Sequence, residues 1–280
     1  MNQAKQISKG SNSSFYYAFN LLSTEKRDAM NTVYAFCRRT DDIVDEGNDP
    51  HEVRYENLHK WRVELERALY GTSNFSLLNK LSATIKKFNI PVQPFFELLK
   101  GMEMDLQRNR YLTFDDLQLY CYRVASTVGL MCIEIFGYKH ESTKDFAVNL
   151  GIALQLTNIL RDIKKDAGAG RIYLPKEDLK RFNYSEKDLL NLTYNENFKM
   201  IMRYEVNRAK FYFDKATECL NLDDKGKMFA ARAMQHIYSR ILDKIVDADY
   251  DVYSNDVQAS KFEKIWISLG VWAKYSLVYK

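Results

Sequence analysis

Two groups of residues have the types and spacing to do chemistry. The first is Asp41 and Asp45, in the stretch DDIVDE that follows YAFCRRT. Residues four apart on a helix lie one above the other, with β-carbons ~5–6 Å apart, so these carboxylates share a face. Their repulsion is unfavourable unless a cation or basic group sits between them. Arg38 and Arg39, a turn earlier, could supply that charge. So could Mg²⁺, which takes oxygen ligands and keeps waters or phosphate oxygens in its shell. Alone, the cluster reads as readily as the solvated end of a helix. A second group changes the reading. In LTNILRDIKKD, Asn158, Asp162 and Asp166 fall at i, i+4 and i+8, an amide and two carboxylates along one helical stripe. If the two helices face each other, four carboxylates meet in one cavity, an arrangement hard to hold without cations. Ions held this way keep open positions suited to a diphosphate. Arg38, Arg161 and Arg171 could complete the cradle by bidentate hydrogen bonds.

The elements that must position these groups are helical. No convincing period-2 alternation and no internal repeat interrupts the pattern. Helices are expected from Thr24 to the acidic stretch, over His51–Tyr70 with Gly71 as the stop, from about Phe75 to Phe88, and onward from Pro91. Thr113 with Asp116 has the form of a capping box, and Ser142 with Asp145 has a similar form. The first opens a helix that Gly137 ends; the second opens the helix of Asn158, Asp162 and Asp166. A Gly-rich loop, AGAGRIYLPKEDL, follows, and three long patterns cover about Tyr194–Cys219, Gly226–Tyr250 and Ala259 to the end. No linker divides the chain, so residues 1–280 read as a single all-α domain.

Composition narrows the function. The chain has 280 residues, 46% hydrophobic and 28% charged, enough for a sizeable core. With 41 basic and 37 acidic residues it carries no basic arm for nucleic acid. Cys37, Cys121, Cys132 and Cys219 lie scattered in apolar stretches, as reduced core cysteines of a cytoplasmic protein do. The start lacks the apolar segment of a secretory signal. No apolar run is expected to reach the ~20 residues of a spanning helix.

The motifs resemble those of the squalene/phytoene synthases, the head-to-head prenyltransferases. SSFYYAFNLL is similar to that family's N-terminal substrate segment and YAFCRRTDDIVDE to its first aspartate-rich motif. YCYRVASTVG resembles the central tyrosine motif, and LQLTNILRDIKKDAGAGRIYLPKEDL the second aspartate-rich motif with its flap. Within the family, GMEMDL, DEGNDP and GRIYLPKEDL look most like the bacterial, hopanoid-associated presqualene diphosphate synthase branch.

The resemblance implies an isoprenoid-synthase-type helical bundle around a central cavity, acting on farnesyl diphosphate. It implies several Mg²⁺ ions, with Mn²⁺ able to substitute, held by Asp41, Asp45, Asn158, Asp162 and Asp166. It assigns diphosphate contacts to Tyr34, Arg38, Arg161, Arg171, Tyr173 and Tyr238. Ser14 and Phe15 match its N-terminal substrate contacts, Gln155 shares the helix of Asn158, and Tyr120 matches a tyrosine assisting proton removal. NADPH is not expected for a presqualene diphosphate product. A neutral tyrosine is a poor base, so a relay from Tyr120 to the released diphosphate is the expected path.

For any one aromatic, such as Phe19, Phe36 or Phe136, plain core packing is the expectation. The apolar side of the last helix, with Phe262, Ile265, Trp266, Leu269 and Trp272, is likewise expected in the core. A peripheral contact with the inner face of the membrane is the other reading. Rival functions are squalene, dehydrosqualene or phytoene synthesis and a non-enzymatic assembly factor. A terpene cyclase or a non-catalytic metal-binding protein ranks lower.

Overall fold

The computed structural model describes residues 19–45 and 49–278. The fold is all-α; among the described residues the one bridge of β type joins Arg110 to Ile172. In order, the helices are α1 (Thr24–Asp45), α2 (His51–Tyr70), α3 (Ser76–Phe88), α4 (Gln93–Gln107) and α5 (Phe114–Cys121). A π-helical turn, Tyr122–Ser126, joins α5 to α6 (Thr127–Phe136). Then come α7 (Ser142–Gly168), α8 (Lys176–Arg181), α9 (Glu186–Leu190) and α10 (Glu196–Cys219). Last are α11 (Leu222–Lys225), α12 (Phe229–Asp247) and α13 (Lys261–Val278).

Most expected boundaries hold for the expected reasons. Gly71 follows α2, and Asn89 ends α3 in the left-handed conformation that asparagine tolerates. The capping box at α5 forms: Thr113 Oγ1 accepts from Asp116 N–H, and the Asp116 carboxylate accepts from Thr113 N–H. At α7 the expected box does not form. Glu141, not Ser142, is the capping position, and no side chain caps it. Asp224 of α11 fastens that approach from a distance, accepting from Lys139 N–H at 2.8 Å, His140 N–H at 3.0 Å and Thr143 Oγ1 at 2.9 Å.

α1 packs against α2, α3, α4 and α6, whereas α7 packs against the π turn, α6, α10 and α12. A cavity opens between these two assemblies. Phe36 anchors α1 in the core, stacked on Trp61 and edge-on to Phe95, and the Trp61 indole N–H donates to buried Thr40 Oγ1 at 3.0 Å. Arg54 caps the acidic end of α1 by donating to the Val44 carbonyl at 3.0 Å.

The stretch Phe114–Phe136 runs 23 residues with mean hydropathy 1.3, long and apolar enough to cross a membrane by length and composition. The expectation that no run reaches such a length therefore fails. Here its partners are α4 and α7, and Leu117, Met131, Ile133 and Ile135 are buried among them. The π turn at its middle is where neighbouring backbones come closest. A β-carbon on Gly101 of α4 would stand 2.7 Å from Val124 Cγ1, and one on Gly151 of α7 would stand 2.4 Å from Ser126 Cα. Glycine at both positions lets the two helices clasp the widened turn.

Candidate active site

One cavity of about 680 Å³ lies between α1 and α7. Its lining includes Tyr34, Arg38, Asp41 and Asp45 from α1, and Gln155, Asn158, Arg161, Asp162 and Asp166 from α7. Tyr120, Arg171, Tyr173 and Tyr238 line it too, so every expected site residue among the described ones meets in one place. Ser14 and Phe15 lie outside the described residues. The helical period explains the convergence: α7 turns Gln155, Asn158, Asp162 and Asp166 inward at three- and four-residue steps, with buried Ile152, Leu156, Leu160 and Ile163 on its packed sides.

The charges are arranged in opposed pairs. Arg38 reaches Asp42 with Nε at 2.7 Å and Asp41 with Nη1 at 3.2 Å. Arg161 holds its neighbour Asp162 with two prongs, 2.8 Å from Nε and 2.6 Å from Nη2. Arg171 crosses the cavity to Asp45 at 3.0 Å. Two carboxyls sit in more repulsive surroundings. Burial, then the nearby Asp45, pushes Asp41 up to about 6. Burial and Asp162 push Asp166 to about 6 as well, while Lys165 works against the shift at both sites.

Arg171 and Tyr173 are placed by the chain after α7. Gly170 takes the left-handed conformation at φ 73°, and Arg171 N–H closes on the Asp166 carbonyl at 2.8 Å. The following strip lies along residues 109–112: Ile172 N–H donates to Asn109 O at 3.0 Å, Lys176 N–H to Tyr111 O at 2.9 Å and Glu177 N–H to Leu112 O at 3.1 Å. Backbone hydrogen bonds thus tie this strip to residues 109–112. Asp178 on α8 adds an ion pair to Arg208 at 2.8 Å.

The donor set suits a hard divalent cation: carboxylates, an amide oxygen and space between them. The side-chain oxygen of Asn158 is buried without a hydrogen-bond partner, an orphan that a cation would satisfy. Among the described residues no three acidic, histidine or cysteine side chains gather closely enough to chelate one ion. A bound ion would therefore draw much of its shell from substrate oxygens and water.

Away from this polar mouth the cavity is apolar. Phe19, Met30, Leu98, Phe136, Phe146 and Met234 are among its walls. Phe19, Phe36 and Phe136 are all buried in the core as expected, and Phe19 and Phe136 also line the cavity, which sequence spacing could not show. Sequence reasoning also gave no role to Asp105 or Lys165, both in the lining. Asp105 accepts hydrogen bonds from Tyr120 at 2.8 Å and Tyr173 at 2.9 Å. Its partners lie 15 and 68 residues away, beyond any local pattern.

A helical cavity with two facing acidic stretches and an apolar interior defines a class of isoprenoid-diphosphate proteins, and sequence comparison gives the family. The family model for squalene/phytoene synthase matches residues 8–263, and the chain belongs to that family. It is 38% identical over 277 residues to a phytoene synthase from Arthrospira platensis, covering 93% of this chain and 88% of that one. It is 36% identical over 275 residues to the 15-cis-phytoene synthase of Synechococcus elongatus, covering 94% and 89%. A solved dehydrosqualene synthase superposes with TM-score 0.86 at 29% identity, over 98% of this chain and 95% of that one. A squalene synthase from Alicyclobacillus acidocaldarius gives 0.81 at 26% identity, over 88% and 93%.

Proposed function

We propose that the protein catalyses the Mg²⁺-dependent head-to-head condensation of two prenyl diphosphates into a cyclopropylcarbinyl diphosphate. With farnesyl diphosphate the product is presqualene diphosphate, and no NADPH is consumed. What carries this reading is the convergence of two acidic stretches, over a hundred residues apart, with three arginines at the mouth of one apolar cavity.

Asp41, Asp45, Asn158, Asp162 and Asp166 would hold Mg²⁺ (or Mn²⁺), whose contribution is to neutralise the diphosphate and make it a better leaving group. Arg38, Arg161 and Arg171 bind the same oxygens through charge-assisted hydrogen bonds, with Tyr34 and Tyr238 at the edge. These donors stabilise the negative charge that grows on the diphosphate as the allylic C–O bond breaks. The apolar walls keep water from the allylic cation until the double bond of the second chain attacks it. Proton loss then closes the cyclopropane.

The second reading is phytoene synthesis from geranylgeranyl diphosphate, which the phytoene synthase relatives at 36–38% identity favour. One assay separates the readings: incubation with farnesyl or geranylgeranyl diphosphate and Mg²⁺, with and without NADPH, followed by mass spectrometry. A C30 diphosphate in both conditions is the expected result. A C40 product only would establish phytoene synthesis. A C30 hydrocarbon would mean that the reaction continues to squalene or dehydrosqualene, separated by NADPH dependence. No product from either substrate would leave a non-enzymatic family member.

The proposed location is the cytoplasm, at the inner face of the membrane. α13 buries Ser268, Val271 and Tyr275 but exposes the other side, with Phe262 71% and Trp266 64% accessible. The expectation of a core face fails for Phe262, Ile265, Trp266, Leu269 and Trp272, all of them exposed. Aromatic side chains flanked by the exposed Lys261 and Lys274 suit an anionic bilayer surface, into which a lipophilic product could pass.

A further inference from the structure

The family's acidic motifs leave Asp105 without a role, yet it faces the cavity and organises its central tyrosines. It stands in the last turn of α4, and both of its carboxylate oxygens are engaged: Oδ2 by the Tyr120 hydroxyl at 2.8 Å, Oδ1 by the Tyr173 hydroxyl at 2.9 Å. The rings of Tyr120 and Tyr173 stack at 5.3 Å, and Tyr111 stacks on Tyr173 at 5.7 Å, so neither hydroxyl is free to swing away. A phenol has a single O–H proton. With that proton directed at Asp105, the Tyr120 oxygen meets the cavity as an acceptor only.

We propose that Asp105 receives, through Tyr120, the proton lost when the cyclopropane ring closes. The proposal rests on the head-to-head reading above. In the step, a C–H bond at C1 of the donor chain, the carbon that lost its diphosphate, breaks and its electron pair forms the last ring bond to the cationic carbon of the acceptor chain. The proton joins Tyr120 Oη while Tyr120's own proton moves to Asp105 Oδ2. A neutral phenol and a neutral carboxylic acid result, and the carboxyl returns its proton to water once the product leaves. Tyrosine alone could not serve: burial, and then the Asp105 charge, raise its phenol well above the ordinary value, so a tyrosinate is not a resting species. The relay needs no tyrosinate, because the second proton leaves as the first arrives.

Asp105 suits the end of such a chain. Burial pushes its carboxyl up to about 6, against the pull of the two tyrosine hydrogen bonds and of Arg171, with Asp45 adding to the rise. It is thus ionised near neutrality yet more basic than an ordinary aspartate, as a general base should be. Tyr173, bonded to the other oxygen, holds the carboxylate plane toward Tyr120. Asp105 is in these terms a positioning and relay residue: it acts on the substrate only through Tyr120.

The test uses the full-length protein with its preferred prenyl diphosphate and Mg²⁺, and follows pyrophosphate release and condensed product separately. Asp105→Asn keeps the shape but removes the proton acceptor. It is expected to lower the condensation kcat about 10²-fold or more, with KM within threefold. Pyrophosphate release should fall less, because ionisation precedes the relay, and the stranded cation, already joined to the second chain, is captured by water as an alcohol instead of closing the cyclopropane. Asp105→Glu should restore part of the condensation. Tyr120→Phe should show the same split, and the double variant should be no worse than either single one. If Asp105→Asn fails to fold, the split in Tyr120→Phe and its extent in Asp105→Glu carry the test. Condensation near the wild-type rate in Asp105→Asn, or release and condensation falling together in the variants, would overturn the relay and return the proton to the departing diphosphate. Wild-type protein that condenses neither substrate would instead overturn the head-to-head reading, and the relay with it.

Discussion

At the scale of the residue, Asp41 shows what the site asks of the fold. Its carboxyl is raised to about 6 by burial and by Asp45, whereas an unfolded aspartate titrates near ~3.9. The native state therefore binds the proton more tightly than the unfolded chain. Stability is highest below the unfolded value and falls as pH rises through about 6. Asp41→Asn removes that burden. Because the side chain is 42% accessible, solvent screens the effect, and about 1 kcal/mol is expected. Without added metal, Asp41→Asn should raise the unfolding temperature by about 2 °C at pH 8 and not at all below about pH 4, while condensation is lost. Thermal unfolding at the two pH values, beside the product assay, checks both halves. The facing of the acidic residues into one cavity was legible because four-residue spacing has one meaning on a helix. Asp105 was not: in GMEMDL it stands two residues from Glu103, a spacing that puts no pair on one helix face, and only the fold brings Tyr120 and Tyr173 to it.

At the scale of the element, the π turn is the least foreseeable feature and the most exposed to small changes. Nothing in YRVAS announces it; Gly101 and Gly151, on two other helices, press against it. Gly151→Ala would drive a methyl into the Ser126 backbone, and about 1–3 kcal/mol of destabilisation is expected, read as a lower denaturant midpoint. Tyr120 lies two residues before the turn and Val124, Ala125 and Val128 line the cavity, so activity should fall with it. The α1, α2 and α3 boundaries were readable because Pro50, Gly71 and Asn89 act locally. The start of α7 was misread because Asp224 fastens it from 81 or more residues away. α13 supplies another test. Phe262→Glu combined with Trp266→Glu should weaken binding to anionic lipid vesicles at least tenfold, measured by co-sedimentation, with turnover in detergent unchanged.

At the scale of the molecule, the site depends on charges buried far from it. Arg208 of α10 pairs with Glu205 at 2.6 Å and Asp178 at 2.8 Å and lies 4.0 Å over the Phe114 ring. Burial already pushes Glu205 up to about 8. Arg208→Ala would leave the buried Asp178 carboxylate without its ion pair and Glu205 without its hydrogen-bond donor, at a cost of about 3–5 kcal/mol. It would also release α8, and with it the strip carrying Arg171 and Tyr173. Urea unfolding should show the loss, and prenyl diphosphate KM should rise. The all-α architecture was plain from the helical period and the absence of period-2 alternation, but which apolar residues face the cavity was not. Phe19, Phe36 and Phe136 are all buried, and only the packing decides that Phe19 and Phe136 also form cavity wall.

The three arginine–carboxylate pairs at the cavity mouth have a thermodynamic consequence. Arg38, Arg161 and Arg171 are the groups a diphosphate would seek, and Asp41, Asp45 and Asp162 those a cation would seek, yet each group is held by its opposite. Either guest arriving alone must part the pairs and leave the other half uncompensated. Arriving together, they share one opening cost, and each pair is exchanged for two new ones. Cation and anion should therefore be reciprocal effectors at a single site, each raising the other's affinity by the same factor. The mouth then works as a coincidence detector, committing the chain to ionisation chemistry only when both are present.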